Sequence, residues 1–473
     1  MRHATRVSAA SEGVLGQTRN LGEREPWVNR NGPLRLWAAG AAGAQRTRWS
    51  GRLASGGLVL RSFSVPIAPP PPVRRILLAD ADAFFVAVAR WADPDGAGRA
   101  PCLLVGGTAE GRGIVCSASY EARAFGVRSA MPMSQALRLC PDAMCVPVPG
   151  KACRLKHREI RAVLEKYSPV VQSASIDDWY VDLAGTEAYY HHASVDAIAH
   201  EIRSAVVAET SMTVSIGGGT SKLIAKLAAE RAKPKPENGA NGVHIVAPGT
   251  ELDFMRLLKL ADIPGIGPKT TSRLSERGLR TVKDVLALDD AALARLVGPR
   301  DGAWLARRVR GVDSGEVATE REAAKSISRD DTFPVDINDD LMLEGELTEL
   351  VGRAAGDLRS DALKARTVTV RIRDKDFTTR QASRTVDEAL ESDRAIFVVA
   401  RELLYKLRKA RRVPARLLGV ALSHFTDPPV KQLALFGQTG ERLETAKDRD
   451  VSRAMDAVRE KFGRDAIAPG RRR

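Results

Sequence analysis

Hydrophobic and polar positions fall into recognisable periods only from about residue 74 onward. Ile76, Leu77 and Leu78 form a short apolar run ending at Asp80, and Phe84, Phe85, Val86 and Val88 then open a helical pattern, which predicts a buried strand feeding a helix. A second strand is expected over 102–105, ending at Gly106-Gly107, and a third over 113–119 that leads into a helix near Tyr120. Leu155, Ile160, Val163 and Leu164 recur at helical spacing within 151–167, after which 170–183 reads as two strands around a turn. A helix over about 194–209 follows. The strand 213–216 then runs into Gly217-Gly218-Gly219 and a helix over 221–232, which Pro234 and Pro236 stop.

Residues 262–320 read as helical with glycine hairpins, and the chain to about 425 mixes strands with two amphipathic helices, so boundaries near 240 and 322 are expected. In the strand 367–373, Val368, Val370 and Ile372 alternate with Thr367, Thr369, Arg371 and Arg373. One face should pack while the other presents guanidinium groups; an ordinary solvated strand face would carry the same pattern. A further helix is expected over 450–462, ahead of the basic tail Arg471 to Arg473.

Length and composition narrow the class. A chain of 473 residues is enough for several domains at about 150 residues each. With 44% hydrophobic and 28% charged residues, and no run near the roughly 18 apolar residues a membrane span requires, a globular protein without a membrane role is expected. The net charge of +15 favours a polyanionic partner, nucleic acid first among them. Five cysteines (Cys102, Cys116, Cys140, Cys145, Cys153) without a CxxC pair or a zinc-like spacing fit small buried thiols in a reduced intracellular compartment. Residues 1–72 are rich in Arg, Gly, Ala and Ser and close in the proline run Pro69 to Pro72. They read as a disordered leader: a flexible extension, an over-long gene start or an organellar transit peptide.

The chemistry is carried by acids. Two-metal phosphoryl transfer needs carboxylates from separate elements to hold cations about 3.5–4 Å apart. Asp80 at a strand end and Asp177-Asp178 in a turn could converge through a central sheet, with Asp82 nearby in sequence. Acids at strand ends also serve as ordinary turn and cap residues, and Phe84 and Phe85 could both be core.

Four segments in order resolve the choice by resemblance. Leu78-Ala-Asp-Ala-Asp-Ala-Phe-Phe85 resembles the first palm motif of the Y family of translesion DNA polymerases, in its bacterial DNA polymerase IV (DinB-type) branch. Ser119-Tyr-Glu-Ala-Arg-Ala-Phe-Gly-Val127 is similar to the family's fingers motif, and Ser175-Ile-Asp-Asp-Trp-Tyr-Val-Asp182 to its second acidic motif. Ser221-Lys-Leu-Ile-Ala-Lys226 through Ala232-Lys-Pro234 is similar to the lysine-bearing helix that follows. The likeness extends over roughly 74–425.

The resemblance implies an α+β right-hand fold. A palm with a central antiparallel sheet and small fingers would occupy 73–240, a helical thumb 241–321, a sheet-plus-helices little finger 322–426, and a clamp-binding peptide with a terminal helix 427–473. It implies low-fidelity, template-directed DNA synthesis without proofreading, using two Mg²⁺ ions held by Asp80, Asp177, Asp178 and the Ala81 carbonyl. Ser117, Tyr120, Arg123 and Lys233 would hold the incoming deoxynucleoside triphosphate, Phe85 would be the steric gate against a 2′-hydroxyl, and Ile114 and Cys116 would roof the base pair. The family usually carries Asp-Glu where this chain has Asp177-Asp178, so a slower or Mn²⁺-favouring enzyme is a live expectation.

Further along, Ile263-Pro-Gly-Ile-Gly-Pro-Lys269 resembles a helix-hairpin-helix, with Gly265, Gly267 and Lys269 against a DNA phosphate. Lys325, Ser326, Arg329, Arg371 and Arg373 would grip the primer-template duplex, and Gln432, Leu433, Leu435 and Phe436 resemble the peptide that docks bacterial polymerases onto the sliding clamp. A monomer working in the cytoplasm at the nucleoid is implied. Two rivals remain: a clamp-binding accessory homologue with weak or no catalysis, and a helix-hairpin-helix DNA-binding or repair nuclease module.

Overall fold

The computed structural model describes residues 73–234, 239–320, 322–426, 443–463 and 466–467; the leader 1–72 and the peptide 432–436 lie outside the described residues. Among the described residues twelve strands appear in chain order: β1 (Ile76–Ala81), β2 (Leu103–Gly106), β3 (Val115–Ala118), β4 (Met144–Val146), β5 (Val171–Ser173), β6 (Asp178–Asp182), β7 (Val214–Gly219), β8 (Val243–Ile245), β9 (Ser326–Ile337), β10 (Lys364–Asp374), β11 (Thr379–Leu390) and β12 (Ala415–Thr426). They build a five-stranded sheet in the order β5-β6-β1-β7-β8, a four-stranded sheet β11-β10-β12-β9 and a three-stranded sheet β3-β2-β4.

β1 is the centre of the first sheet, antiparallel to both β6 and β7. Its apolar run is continuous because both faces are covered. Leu77 and Ala79 enter a core with the helices Gly150–Leu164 and Val195–Thr210, whereas Ile76 and Leu78 pack with Ala225 and Ala229 of the helix Lys222–Ala232. Each such leucine contributes about 1.5–3 kcal/mol on burial. The three glycines after Ile216, expected to follow the strand, belong to it. A Cβ on Gly217 would lie 1.9 Å from the Ala229 nitrogen, so only glycine lets the helix Lys222–Ala232 rest directly on β7. β8 joins β7 in parallel, which makes this sheet mixed at one edge.

The helices Pro268–Ser275, Val282–Leu286, Asp290–Val297 and Pro299–Val309 share an apolar core that also takes in Leu223, Ile224, Leu227 and Ala228. The boundary expected near 240 is therefore bridged by packing from the preceding helix. In the C-terminal sheet the helices Asp340–Ser360 and Asp393–Ala410 cover one face, burying Val368, Val370 and Ile372 completely. A last helix, Ala446–Phe462, lies against Asp393–Ala410. Among the described residues no helix is long and apolar enough to cross a membrane.

Candidate active site

The strand register places Asp80 directly opposite Asp178, side by side across β1 and β6. The turn before β6 is tied to the end of β1 by the Ala81 amide, which donates to the Asp177 carbonyl at 2.9 Å. Asp177 is held in that turn by Ser175, whose hydroxyl donates to its carboxylate. A cavity of about 300 Å³ opens at these strand ends, lined by Asp80, Ala81, Phe84, Phe85, Cys116, Ser117, Tyr120, Arg123, Asp177, Glu230 and Lys233, among others.

Burial, reinforced by the neighbouring charge of Asp178 and opposed by Lys233, pushes the Asp80 carboxyl up to about 6. Lys233, at the C-terminal end of the helix Lys222–Ala232, lies 3.1 Å from Asp80 and 2.8 Å from Glu230. Burial works against its charge, but Asp80 and Glu230 outweigh that and raise it above an ordinary lysine. Lys226 reaches Asp178 Oδ2 at 3.0 Å, while Asp178 Oδ1 is buried with no hydrogen-bond partner. Across the cavity, Arg123 sits over the Tyr120 ring at 4.9 Å, its Nε fixed by the Ala118 carbonyl at 2.9 Å. Burial and the charge of Asp82 raise the Tyr120 phenol, keeping it a neutral O–H donor.

Not every expected residue joins this group. Ile114 is half exposed just before β3, bridged to Pro132, and does not line the cavity. Asp82 turns away: its carboxylate accepts from Ser215 of β7 at 2.7 Å. Lys226 and Glu230 were not singled out from the sequence, yet Lys222, Lys226, Glu230 and Lys233 recur at helical spacing on one face. That face runs along the acids, a signal legible in retrospect. Among the described residues no three His, Cys, Asp or Glu side chains converge as a preformed metal cage; Lys226 and Lys233 supply the counter-charges to Asp178 and Asp80. The donors present are hard carboxylate oxygens, one of them buried and unsatisfied, which suits Mg²⁺ or Mn²⁺.

Away from the cavity, Gly265 adopts φ +97° and a Cβ there would meet the Trp304 ring at 2.8 Å, while Gly267 caps the helix that begins at Pro268 and carries exposed Lys269. On the C-terminal sheet, Ser326, Thr367, Thr369, Arg371 and Arg373 share the face away from the helices, with Lys325 exposed just before β9. Arg371 lies 3.6 Å from Asp330, and Arg373 donates to Thr379 at 2.9 Å. Arg329 does not join them. It has the same parity along β9 as buried Ile327 and is ion-paired with Asp357 of the helix Asp340–Ser360.

Comparison with known proteins agrees with this architecture. The impB/mucB/samB family matches residues 79–230, its C-terminal domain 324–435, and the DNA polymerase-iota thumb domain 261–313. A DNA polymerase IV of Dehalococcoides mccartyi strain CBDB1 is 34% identical over 401 residues, covering 84% of this chain and 97% of that protein. The chain belongs to the DNA polymerase IV branch of the Y family. The DNA polymerase IV of Methanoculleus marisnigri is 36% identical over 365 residues, covering 76% of this chain and 97% of the relative. Among solved structures, a Y-family DNA polymerase chimera superimposes with a TM-score of 0.65 at 25% identity, covering 74% of this chain and 98% of that one. The fold is accordingly the right hand of this family, and the protein is a DNA-directed DNA polymerase of the translesion type that depends on divalent metal. The thumb-domain match spans the hairpin helices, and the match to the family's C-terminal domain spans the C-terminal sheet.

Proposed function

We propose that this polymerase extends a DNA primer by two-metal phosphoryl transfer at Asp80, Asp177 and Asp178, at low fidelity and without proofreading. The observation that carries the reading is that acids and phosphate-binding groups face one cavity: Asp80 and Asp177, with Lys233 paired to Asp80, and Tyr120 with Arg123. Asp80, Asp177, Asp178 and the Ala81 carbonyl would hold two Mg²⁺ ions, Mn²⁺ being an alternative. When bound, the ions supply charge for the attacking and departing oxygens.

The chain's own groups do the positioning. Arg123 presents a planar fork and Lys233 a point charge to the triphosphate, while Tyr120 and Ser117 donate hydroxyl hydrogen bonds. Phe85 excludes a 2′-hydroxyl, and exposed Cys116 leaves an open roof tolerant of damaged bases. One neighbouring structure is titled an insertion ternary complex of Dbh DNA polymerase, which supports primer-template DNA and a deoxynucleotide as the substrates here. Gly265, Gly267 and Lys269 would meet a phosphate through backbone N–H groups, and Lys325, Ser326, Arg371 and Arg373 would lie along the duplex. Gln432, Leu433, Leu435 and Phe436 would dock on the sliding clamp, with the polymerase a monomer.

Extension of a primer opposite an abasic site is the test. Wild type should insert and continue, and Asp80→Ala should lose extension on damaged and undamaged templates alike. An Asp80→Ala enzyme that still extends would overturn the assignment of the acids.

A further inference from the structure

Beside the acidic turn sits a hydrogen-bonded relay that uses neither the Asp177 nor the Asp178 carboxylate. His157, on the helix Gly150–Leu164, places Nδ1 2.9 Å from the Ile176 carbonyl, the residue immediately before Asp177. A carbonyl only accepts, so Nδ1 is the donor there. The partner of Nε2 is the Ser173 hydroxyl at 3.2 Å, which in turn accepts from Arg161 at 3.3 Å. The same imidazole stacks on Trp179, the residue immediately after Asp178, with centroids 5.0 Å apart and planes inclined by 30°. His157 therefore grips the chain on both sides of Asp177-Asp178.

Trp179 reinforces the point. It is fully buried, yet its indole N–H has no hydrogen-bond partner, so its ring is kept in place for packing and stacking and not for a polar contact. The acids themselves sit at a strand end, where the turn is also held by the Ala81–Asp177 backbone bond, the Ser175 hydroxyl, the amides that Ala174 and Ser175 direct to the Asp178 carbonyl, the pairing of Asp178 with Asp80 and the Lys226–Asp178 ion pair.

We propose that His157 is a positioning residue for the acidic turn: by holding the Ile176 carbonyl and stacking on Trp179 it sets the backbone from which Asp177 and Asp178 reach the metals. This rests on the reading of those acids as metal ligands. Groups that orient a ligand from behind typically change metal affinity or activity by about 10- to 100-fold when removed.

The test is single-nucleotide insertion on primed DNA across a Mg²⁺ titration, with full-length variants whose melting curves are recorded alongside. His157→Ala should lower kcat by about tenfold and raise the half-saturating Mg²⁺ several-fold, with the KM for the nucleotide within about twofold of wild type. His157→Asn, whose amide nitrogen falls near the place of Nδ1, should recover most of that loss. His157→Gln, whose nitrogen falls near Nε2, should not. A His157→Ala enzyme with wild-type kcat and Mg²⁺ dependence overturns the proposal, as does Asn performing no better than Gln, a comparison that still decides if the alanine variant fails to fold. Asp177→Asn separates the two readings: if it stays fully active the metal assignment falls, whereas an inactive Asp177→Asn beside an unaffected His157→Ala sinks this inference alone.

Discussion

Asp178 begins β6 with one carboxylate oxygen on Lys226 and the other buried and unpartnered, so its reach is set by a side chain one methylene shorter than the glutamate usual in the family. Lengthening it without moving the backbone should improve Mg²⁺ placement: Asp178→Glu is expected to raise the ratio of extension rates in Mg²⁺ over Mn²⁺ by roughly tenfold, since misplacements on the order of an ångström carry effects of that size or larger. Equal ratios for the two proteins would remove the idea. Phe84 and Phe85, indistinguishable as core candidates in the sequence, differ once folded. Both border the cavity, but Phe84 is 2% exposed and packed in the core, while Phe85, edge-on to it at 5.8 Å, is only partly buried. Phe85→Ala should therefore increase ribonucleotide over deoxyribonucleotide incorporation by roughly tenfold or more at little cost in stability, whereas Phe84→Ala should cost about 3–5 kcal/mol of stability. Competition between the two nucleotides, read with melting curves, checks both halves.

At the level of elements, the helix Lys222–Ala232 does most to connect fold and site, because one face rests on the β7 glycines while another carries Lys226 and Glu230 toward the acids. Its span over 221–232 and its stop at Pro234 and Pro236 were readable in the sequence. Which face would meet the sheet depended on the glycines lying inside the strand. The terminal helix Ala446–Phe462 is anchored by Glu444, whose carboxylate accepts from the Glu391 and Ser392 amides at 2.9 and 2.6 Å and from Arg449 at 2.8 Å. Burial would push the Glu444 carboxyl up, but these amides, the Ser392 side chain and Arg449 outweigh it and hold it below the usual glutamate range. As the pH drops, the unfolded chain takes up a proton first. The anchor is thus complete above the ordinary glutamate pKa of about 4.3 and is lost as the pH falls through the lower folded value. Amide exchange in this helix should accelerate below about pH 4, and Glu444→Gln should weaken docking by ~1–3 kcal/mol already at neutral pH. Exchange in the variant that matched wild type at pH 7 would show that the carboxylate is not the anchor.

Over the whole molecule, the charge of +15 becomes useful only where the fold exposes it. Affinity for primed DNA should fall steeply with salt, and Arg371→Ala or Arg373→Ala should each lower the slope of log affinity against log salt by about one. Arg329→Ala should leave that slope nearly unchanged, since Arg329 takes the opposite face of the sheet, where it pairs with Asp357 of a covering helix; a drop equal to that of Arg371→Ala would place Arg329 on the duplex after all. Periodicity showed that Arg371 and Arg373 oppose a buried face, because side-chain alternation is local to one strand. It could not show that Arg329 takes the other face of its own strand, which follows from β9 pairing with β12 in the register that turns Ile327 inward. The same division holds for the catalytic region. The amino-acid order by itself determined the kinds and succession of the elements, and the motifs from which the family could be inferred, since capping, hydrophobic period and chain breakers act within a few residues. The folded chain alone decided that Asp80 faces Asp178, that Lys226 and Lys233 neutralise them, and that His157 braces their turn. These are contacts between residues distant in sequence, set by strand register and by the seat of a helix on a sheet, quantities that no local pattern encodes.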